Sequence, residues 1–317
     1  MTFSHESTTD EVLDGVDLSG RRIVITGAAS GLGEESTRAL AAHGASVLML
    51  ARDPGKNEEA AARIRESVPD ADLSLDVVDL ADLSSVRAFA TRFAESGQAI
   101  DVLLNNAGVM ACPFTHTADG FEMQFGTNHL GHFELTRLLL PAVTAGSDPR
   151  IVNLSSAAHG IAGVDLGDPN FERTPYDAWV SYGRSKSANA LHALALARRL
   201  AGVGVLAFSV HPGGIMTNLG RHLDDDLMNQ MLDRAKERAA ASGEGGGMKF
   251  KSIPQGAATQ VWAATSPDLV GHSGRYLADC GLGVPGGNVG RNGCEPHIAD
   301  EARADQLYDL SEQLLSR

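Results

Sequence analysis

Residues 181–186 read SYGRSK, with Tyr182 and Lys186 four positions apart. From Ala178 onward, apolar Leu191, Leu194, Ala195 and Leu196 recur at helical spacing, so the tyrosine and the lysine share one helix face. An ammonium one turn from a phenol stabilises the phenolate, which lets the phenol exchange a proton below its ordinary pKa of about 10. A surface tyrosine beside a solvated lysine would read the same way. The rest of the chain has to decide.

A second stretch with chemical content is TGAASGLGEES at 26–36, which follows an apolar run and opens a helical one. Gly27, Gly31 and Gly33 permit a tight turn, and the missing Cβ atoms let a pyrophosphate approach backbone amides at the positive end of the helix. Further on comes LMLARD, where a dinucleotide-binding fold presents a side chain to the ribose. Ala51 followed by Arg52 stands there in place of an acidic residue, and Asp53 would serve if the register differs. Asp79 and Leu80 could bound an adenine pocket, although Asp79 and Asp82 compete to cap the next helix.

The elements that must position these residues alternate regularly. RRIVITG, ASVLMLA, DLSLDVV, DVLLNNAG, RIVNLSS and VGVLAFSVHPG read as short strands, each separated from the next by a longer helical pattern, and GRYLADC reads as a final strand. Apolar strands alternating with helices predict a parallel sheet covered on both faces. We expect a single α/β domain over 21–317, a doubly wound parallel sheet of Rossmann type flanked by helices, preceded by an extension over 1–20. The polar stretch 218–253, with Gly243 and Gly245 to Gly247, is expected to cover the substrate.

Composition narrows the function classes. The 40 acidic and 26 basic side chains leave a formal charge of −14, which disfavours a nucleic-acid surface. Cys112, Cys280 and Cys294 show neither CxxC spacing nor an even number, so neither a zinc ribbon nor a disulfide framework is expected, and a cytoplasmic location is. The first twenty residues lack an apolar core, and no run approaches the roughly eighteen apolar residues of a spanning helix, so no membrane insertion is expected. His129 and His132 mimic ligand spacing without a third ligand nearby, and no metal is expected.

Taken in order, TGAASGLG, DL at 79–80, NNAG at 105–108, TNHLGHF at 127–133, NLSS at 153–156, YGRSK and HPGGIMT resemble the classical short-chain dehydrogenase/reductase family. NNAGVM, TNHLGHFELT, NLSSAAH and SKSANAL resemble its branch of retinol dehydrogenases and protochlorophyllide reductases. The resemblance implies nicotinamide chemistry. Tyr182 is then the acid/base for hydride transfer at a carbinol or carbonyl carbon, and Lys186 lowers its pKa and binds the nicotinamide ribose. Ser156 holds the substrate oxygen, with Ser155 structural, and Asn128 bends its helix and carries a water-linked proton relay.

The same resemblance implies cofactor contacts from Gly27, Ser30, Gly31, Leu32, Gly33, Arg52, Asp79, Leu80, Asn105, Ala107, Gly108, Pro212, Gly213 and Thr217. Arg52 without a neighbouring ribose carboxylate favours NADP over NAD, although Glu34 adds negative charge nearby. The segment between Ser156 and Tyr182 is longer than in most of the family, which alters the pocket and leaves the catalytic set in place. Tyr176 is a rival acid/base without a lysine four residues on. We expect an alcohol–ketone or alcohol–aldehyde oxidoreductase with an apolar small-molecule substrate, paired as a homodimer or homotetramer through the helices near 120–145 and 178–201. The alternatives are reduction of a carbon–carbon double bond and a cofactor-sensing protein without turnover.

Overall fold

The alternation read from the sequence becomes one sheet in a computed structural model of the protein, which describes residues 3–241, 250–289 and 292–316. Its strands are β1 (Arg22–Thr26), β2 (Ser46–Ala51), β3 (Leu73–Val77), β4 (Val102–Asn105), β5 (Arg150–Leu154), β6 (Leu206–His211), β7 (Tyr276–Ala278) and β8 (Gly281–Leu282). They run in the order β3-β2-β1-β4-β5-β6-β7-β8. Every pairing is parallel except that of β8 with β7. A small parallel pair, β9 (Val284–Pro285) and β10 (Gly293–Cys294), lies outside the sheet.

The helices are α1 (Thr9–Leu13), α2 (Gly31–Ala42), α3 (Pro54–Ser67), α4 (Leu83–Glu95), α5 (Met123–Phe125), α6 (Gly131–Thr144), α7 (Ala178–Arg199), α8 (Asp225–Ala241), α9 (Ile253–Thr265) and α10 (Glu301–Leu315). One turn of π-helix, Gly126–Leu130, joins α5 to α6. Local chemistry sets several starts: Asp53, Asp82, Asp177 and Asp300 each accept a backbone N–H as N-cap of α3, α4, α7 and α10. Ser252 and Gln255 form a capping box on α9. Among the described residues, no helix is long and apolar enough to cross a membrane.

The apolar core splits across the sheet. On one face Leu40, Ile64, Val261 and Trp262 bring α2, α3 and α9 against β1 and β2; on the other, Phe89, Leu135, Leu139 and Leu196 bring α4, α6 and α7. The residues before β1 belong to the first layer, since Val12 and Leu13 are buried there and Arg38 ties Asp10 to Glu35. Of the expected cover over 218–253, α8 is present, while residues 242–249, including Gly243 and Gly245 to Gly247, lie outside the described residues.

The sequence reading left α10 unassigned. Its Ala304, Leu307 and Leu314 pack with Ala188, Leu191 and Ala195 of α7. Arg198 pairs with Glu301 and Asp305, and Arg199 lies 2.7 Å from Asp309 and 3.9 Å over the Tyr308 ring. α10 therefore backs the helix that carries Tyr182 and Lys186. Leu307→Ala, at a fully buried position, is expected to lower stability by about 2–5 kcal/mol, read by urea unfolding.

Candidate active site

The site lies where the strand order reverses, between β1 and β4, at their carboxyl ends. Gly27 and Gly31 take φ of +67° and +57°, and a Cβ on Gly33 would sit 2.2 Å from the Gly27 carbonyl oxygen, so the turn requires all three glycines. Ser30 enters α2 in an extended conformation and makes no capping bond, which leaves the first-turn amides facing the crevice. An open helix start behind a turn with no room for Cβ atoms fits a diphosphate.

This floor is laced together by Thr26. Its Oγ1 accepts from the Asn106 and Ala107 amides, each at 3.0 Å, and lies 2.8 Å from His132 Nε2. His132 Nδ1 donates to the Asn128 carbonyl at 2.9 Å, so the Thr26 hydroxyl donates to Nε2. Burial holds His132 down to about 4, consistent with this neutral tautomer. His132, whose spacing from His129 mimics a ligand pair, is instead a bridge between Thr26 and the Asn128 carbonyl, and only its neighbours in the fold mark it as one. The Asn105 side chain turns into the sheet: its Nδ2 donates to Asn153 at 2.8 Å and Thr136 at 3.0 Å, tying β4 to β5 and α6, and a cofactor contact from this residue is left to its backbone.

At the end of β2, Ala51 is the last strand residue and Arg52 is exposed. The Asp53 carboxylate accepts from the Lys56 amide at 3.1 Å as the cap of α3. Glu34 is gripped by Arg63 through two bonds of 2.8 and 3.0 Å, which offsets its charge beside the turn. At the end of β3, Asp82 takes the cap of α4, while Asp79 accepts from the Ala81 amide at 2.9 Å and Leu80 is buried.

Across the crevice α7 presents Tyr182 and Lys186, both buried, with the Lys186 ammonium 5.7 Å from the Tyr182 ring centre. Lys186 Nζ donates to the Leu154 carbonyl at 3.0 Å, and Ser155 Oγ to the Lys186 carbonyl at 2.7 Å, which pins this turn to the end of β5. A Cβ on Gly108 would lie 3.1 Å from Asn128 Oδ1 and 3.5 Å from Nζ, so that glycine keeps the ammonium open to the crevice. Asn128 sits in the π turn. Its Oδ1 accepts from the Val109 amide at 2.8 Å, and its Nδ2 donates to the Val109 carbonyl and to Ser185 Oγ, both at 2.9 Å.

Burial raises the Tyr182 phenol to about 12, with hydrogen bonding to Ser156 offsetting only part of the rise. Burial also lowers Lys186 to about 8. In the protein by itself desolvation therefore outweighs the expected pull of the ammonium on the phenol. Tyr176 is spent elsewhere: its hydroxyl donates to the Cys112 carbonyl at 2.8 Å and accepts from Gln124 Nε2 at 2.9 Å.

The loop after β6 closes the third side. Gly213 has φ +101°, and a Cβ on Gly31 would lie 3.3 Å from Thr217 Cγ2, so this loop touches the glycine turn. His211, just before Pro212, accepts from the Ala157 amide at 3.2 Å and links the loop to the Ser156 turn. Around Tyr182 the walls are apolar: Trp179, Ala111 and Ala158 are flanked by Met110 and Ile161 and by Leu223, Leu227 and Met231 from the 218–253 segment. Among the described residues, no group of three or more His, Cys, Asp or Glu side chains is placed to hold a metal ion.

Residues 21–227 match the family model for short chain dehydrogenase. The chain is 40% identical to retinol dehydrogenase 14 of Mus musculus, covering 94% of this chain and 86% of the relative. It is 42% identical to retinol dehydrogenase 12 of Mus musculus, covering 95% and 88%. A crystal structure of a Mycobacterium Paratuberculosis protein superposes with a TM-score of 0.70 at 36% identity, covering 94% of each chain.

The buried ammonium has a measurable signature. Between the folded pKa of about 8 and the ordinary lysine value of 10.5, the unfolded chain holds the Lys186 proton and the folded chain does not, so this group makes stability rise with pH across that window. Lys186→Met leaves the Leu154 carbonyl its 2.8 Å bond from Asn189. It is expected to raise Tm at pH 7 and to flatten the rise between pH 8 and 10.5, read by thermal melts.

Proposed function

The chain belongs to the short-chain dehydrogenase family and is an oxidoreductase of alcohol and carbonyl groups; from that premise we propose that Tyr182 is its proton donor and acceptor and that an apolar alcohol or carbonyl compound is its substrate. The observation that carries this reading is one constellation: the buried Tyr182 phenol, on which the Ser156 side chain acts against the upward push of burial, with Lys186 one turn on, across the crevice from a turn suited to a diphosphate. A nicotinamide cofactor, when bound, supplies or accepts the hydride.

Ser156 orients the substrate oxygen toward the Tyr182 hydroxyl, and that hydroxyl gives its proton to the oxygen in reduction or takes it in oxidation. Lys186 holds a ribose hydroxyl and favours the phenolate once the crevice is filled and both groups face one low-dielectric space. Asn128, fastened to Val109, fixes the edge of the crevice beside Lys186. Gly27, Ser30, Gly31, Leu32 and Gly33 take the diphosphate, Asp79 and Leu80 the adenine, and Ala107, Gly108, Pro212, Gly213 and Thr217 the remaining walls.

Support for an apolar substrate comes from the wall around Tyr182, to which α8 and the turn before it contribute Leu223, Leu227 and Met231. The same segment acts as the cover. Exposed Met216, at 60%, and Phe250, at 44%, flank the Ile215–Lys251 bridge and extend the apolar surface to its mouth. Pairing through the outer faces of α6 and α7 has less support, because α10 lies over α7. Three buried free cysteines support a reducing compartment.

Tyr182→Phe keeps the ring and its packing. Cofactor binding is expected to persist while turnover of a primary or secondary alcohol falls at least about a hundredfold; near-wild-type turnover would remove Tyr182 from the mechanism.

For the cofactor, we infer NADP. Ala51 offers no carboxylate to repel a 2′-phosphate, Asp53 is engaged as a helix cap, Glu34 is matched by Arg63, and Arg52 makes no ion pair among the described residues. Arg52→Ala is expected to lower kcat/KM for NADP about tenfold or more with little change for NAD, the scale of one lost charge-assisted contact; equal loss for both would overturn the assignment.

A further inference from the structure

Outside the proton-transfer set, Lys251 and Asp279 meet beside the loop after β6, Lys251 packing on its Gly213. Lys251 Nζ donates to Asp279 Oδ1 at 2.6 Å, with the two side chains 10% and 26% exposed. We propose that this ion pair is a latch that positions the Pro212–Thr217 loop, and through it the nicotinamide half of the cofactor; the inference rests on the cofactor reading above.

Three contacts join Lys251 to the loop. Its amide donates to the Gly214 carbonyl at 2.8 Å, and its backbone forms a parallel bridge with Ile215. Its side-chain stem lies flat on Gly213, where φ is +101° and an added Cβ would fall 2.8 Å from Lys251 Cδ. The loop in turn reaches the glycine turn through Thr217 and rests on α9 through Ile215, whose Cγ1 lies 2.5 Å from where a Cβ on Gly256 would be. A shift of Lys251 is thereby transmitted to atoms beside the crevice.

Asp279 is held in place at a conformational cost. It and Cys280 take φ of +51° and +52°, a left-handed region that side-chain-bearing residues enter rarely, although Asp tolerates it better than most. The register of β6 against β7 pairs His211 with Ala278, so the next residue, Asp279, emerges beside Pro212. Cys280 N donates to Thr259 Oγ1 at 3.2 Å and fastens the turn to α9. The strained turn aims a carboxylate at Lys251, and the partly desolvated pair is stronger there than on an open surface.

The test uses isothermal titration calorimetry of the full chain with NADPH and with its nicotinamide-free fragment, 2′-phospho-ADP-ribose; NADH and ADP-ribose replace them if NADH binds more tightly. Asp279→Asn removes the charge and keeps a residue that tolerates the left-handed turn; Lys251→Met keeps the stem. Each is expected to weaken the dinucleotide about tenfold and the fragment less than about twofold, with Lys251→Arg restoring most of the loss. Equal weakening of dinucleotide and fragment, or no weakening of either, would overturn the latch. Wild-type protein that binds neither NADPH nor NADH would overturn the cofactor reading and the latch with it.

Discussion

A buried ammonium has to be given oxygen atoms, and the placement of Lys186 organises the crevice around that demand. Taking such a charge out of water costs on the order of several kcal/mol, so its neighbours cannot be left to chance. The end of β5 supplies the Leu154 carbonyl and a serine that fastens the same helical turn, while Gly108 leaves the opposite side free. The sheet, α7 and the loop after β4 have to meet at one point for this to work. The strand-order reversal between β1 and β4 brings the glycine turn after β1 to the same place.

Much of this was legible because it is written in local chemistry. Gly27, Gly31 and Gly33 mark a turn whatever surrounds it, and the YxxxK spacing puts two side chains on one helix face without reference to the rest of the fold. The alternation of strands and helices, and with it a parallel sheet, followed from apolar runs separated by longer helical patterns. What stayed hidden depended on partners far apart in the chain. The string NNAG does not say which partners the Asn105 side chain takes, and only the fold shows Asn153 and Thr136 accepting from its amide. His132 reads as packing until Thr26 and the Asn128 carbonyl are seen on its two nitrogens.

The C-terminal helix shows the same limit at larger scale. Asp300, Ala304, Leu307 and Leu314 carry an N-cap and an apolar stripe that could have announced α10, yet nothing in that pattern names α7 as its partner. The pairing of Arg198 and Arg199 with Glu301, Asp305 and Asp309 specifies the docking only after the two helices are side by side. Charge on α7 that resembles an ordinary basic helix end is thus committed to an intramolecular contact, on a face that would otherwise be open to a second copy.

Tyr182 and Lys186 are displaced in opposite directions by one cause. Burial lifts the phenol and lowers the ammonium, so each leans toward its neutral form when the protein stands alone. A catalytic phenol needs the reverse, a lowered pKa, and the Ser156 bond offsets only part of the burial effect. The missing stabilisation has to come from a ligand that places positive or hydrogen-bonding groups in the crevice, as an oxidised nicotinamide ring and its ribose would. Under the role proposed for Tyr182, proton transfer becomes favourable when the crevice is filled, and the apolar wall to which Leu223, Leu227 and Met231 contribute would keep competing water from its hydroxyl.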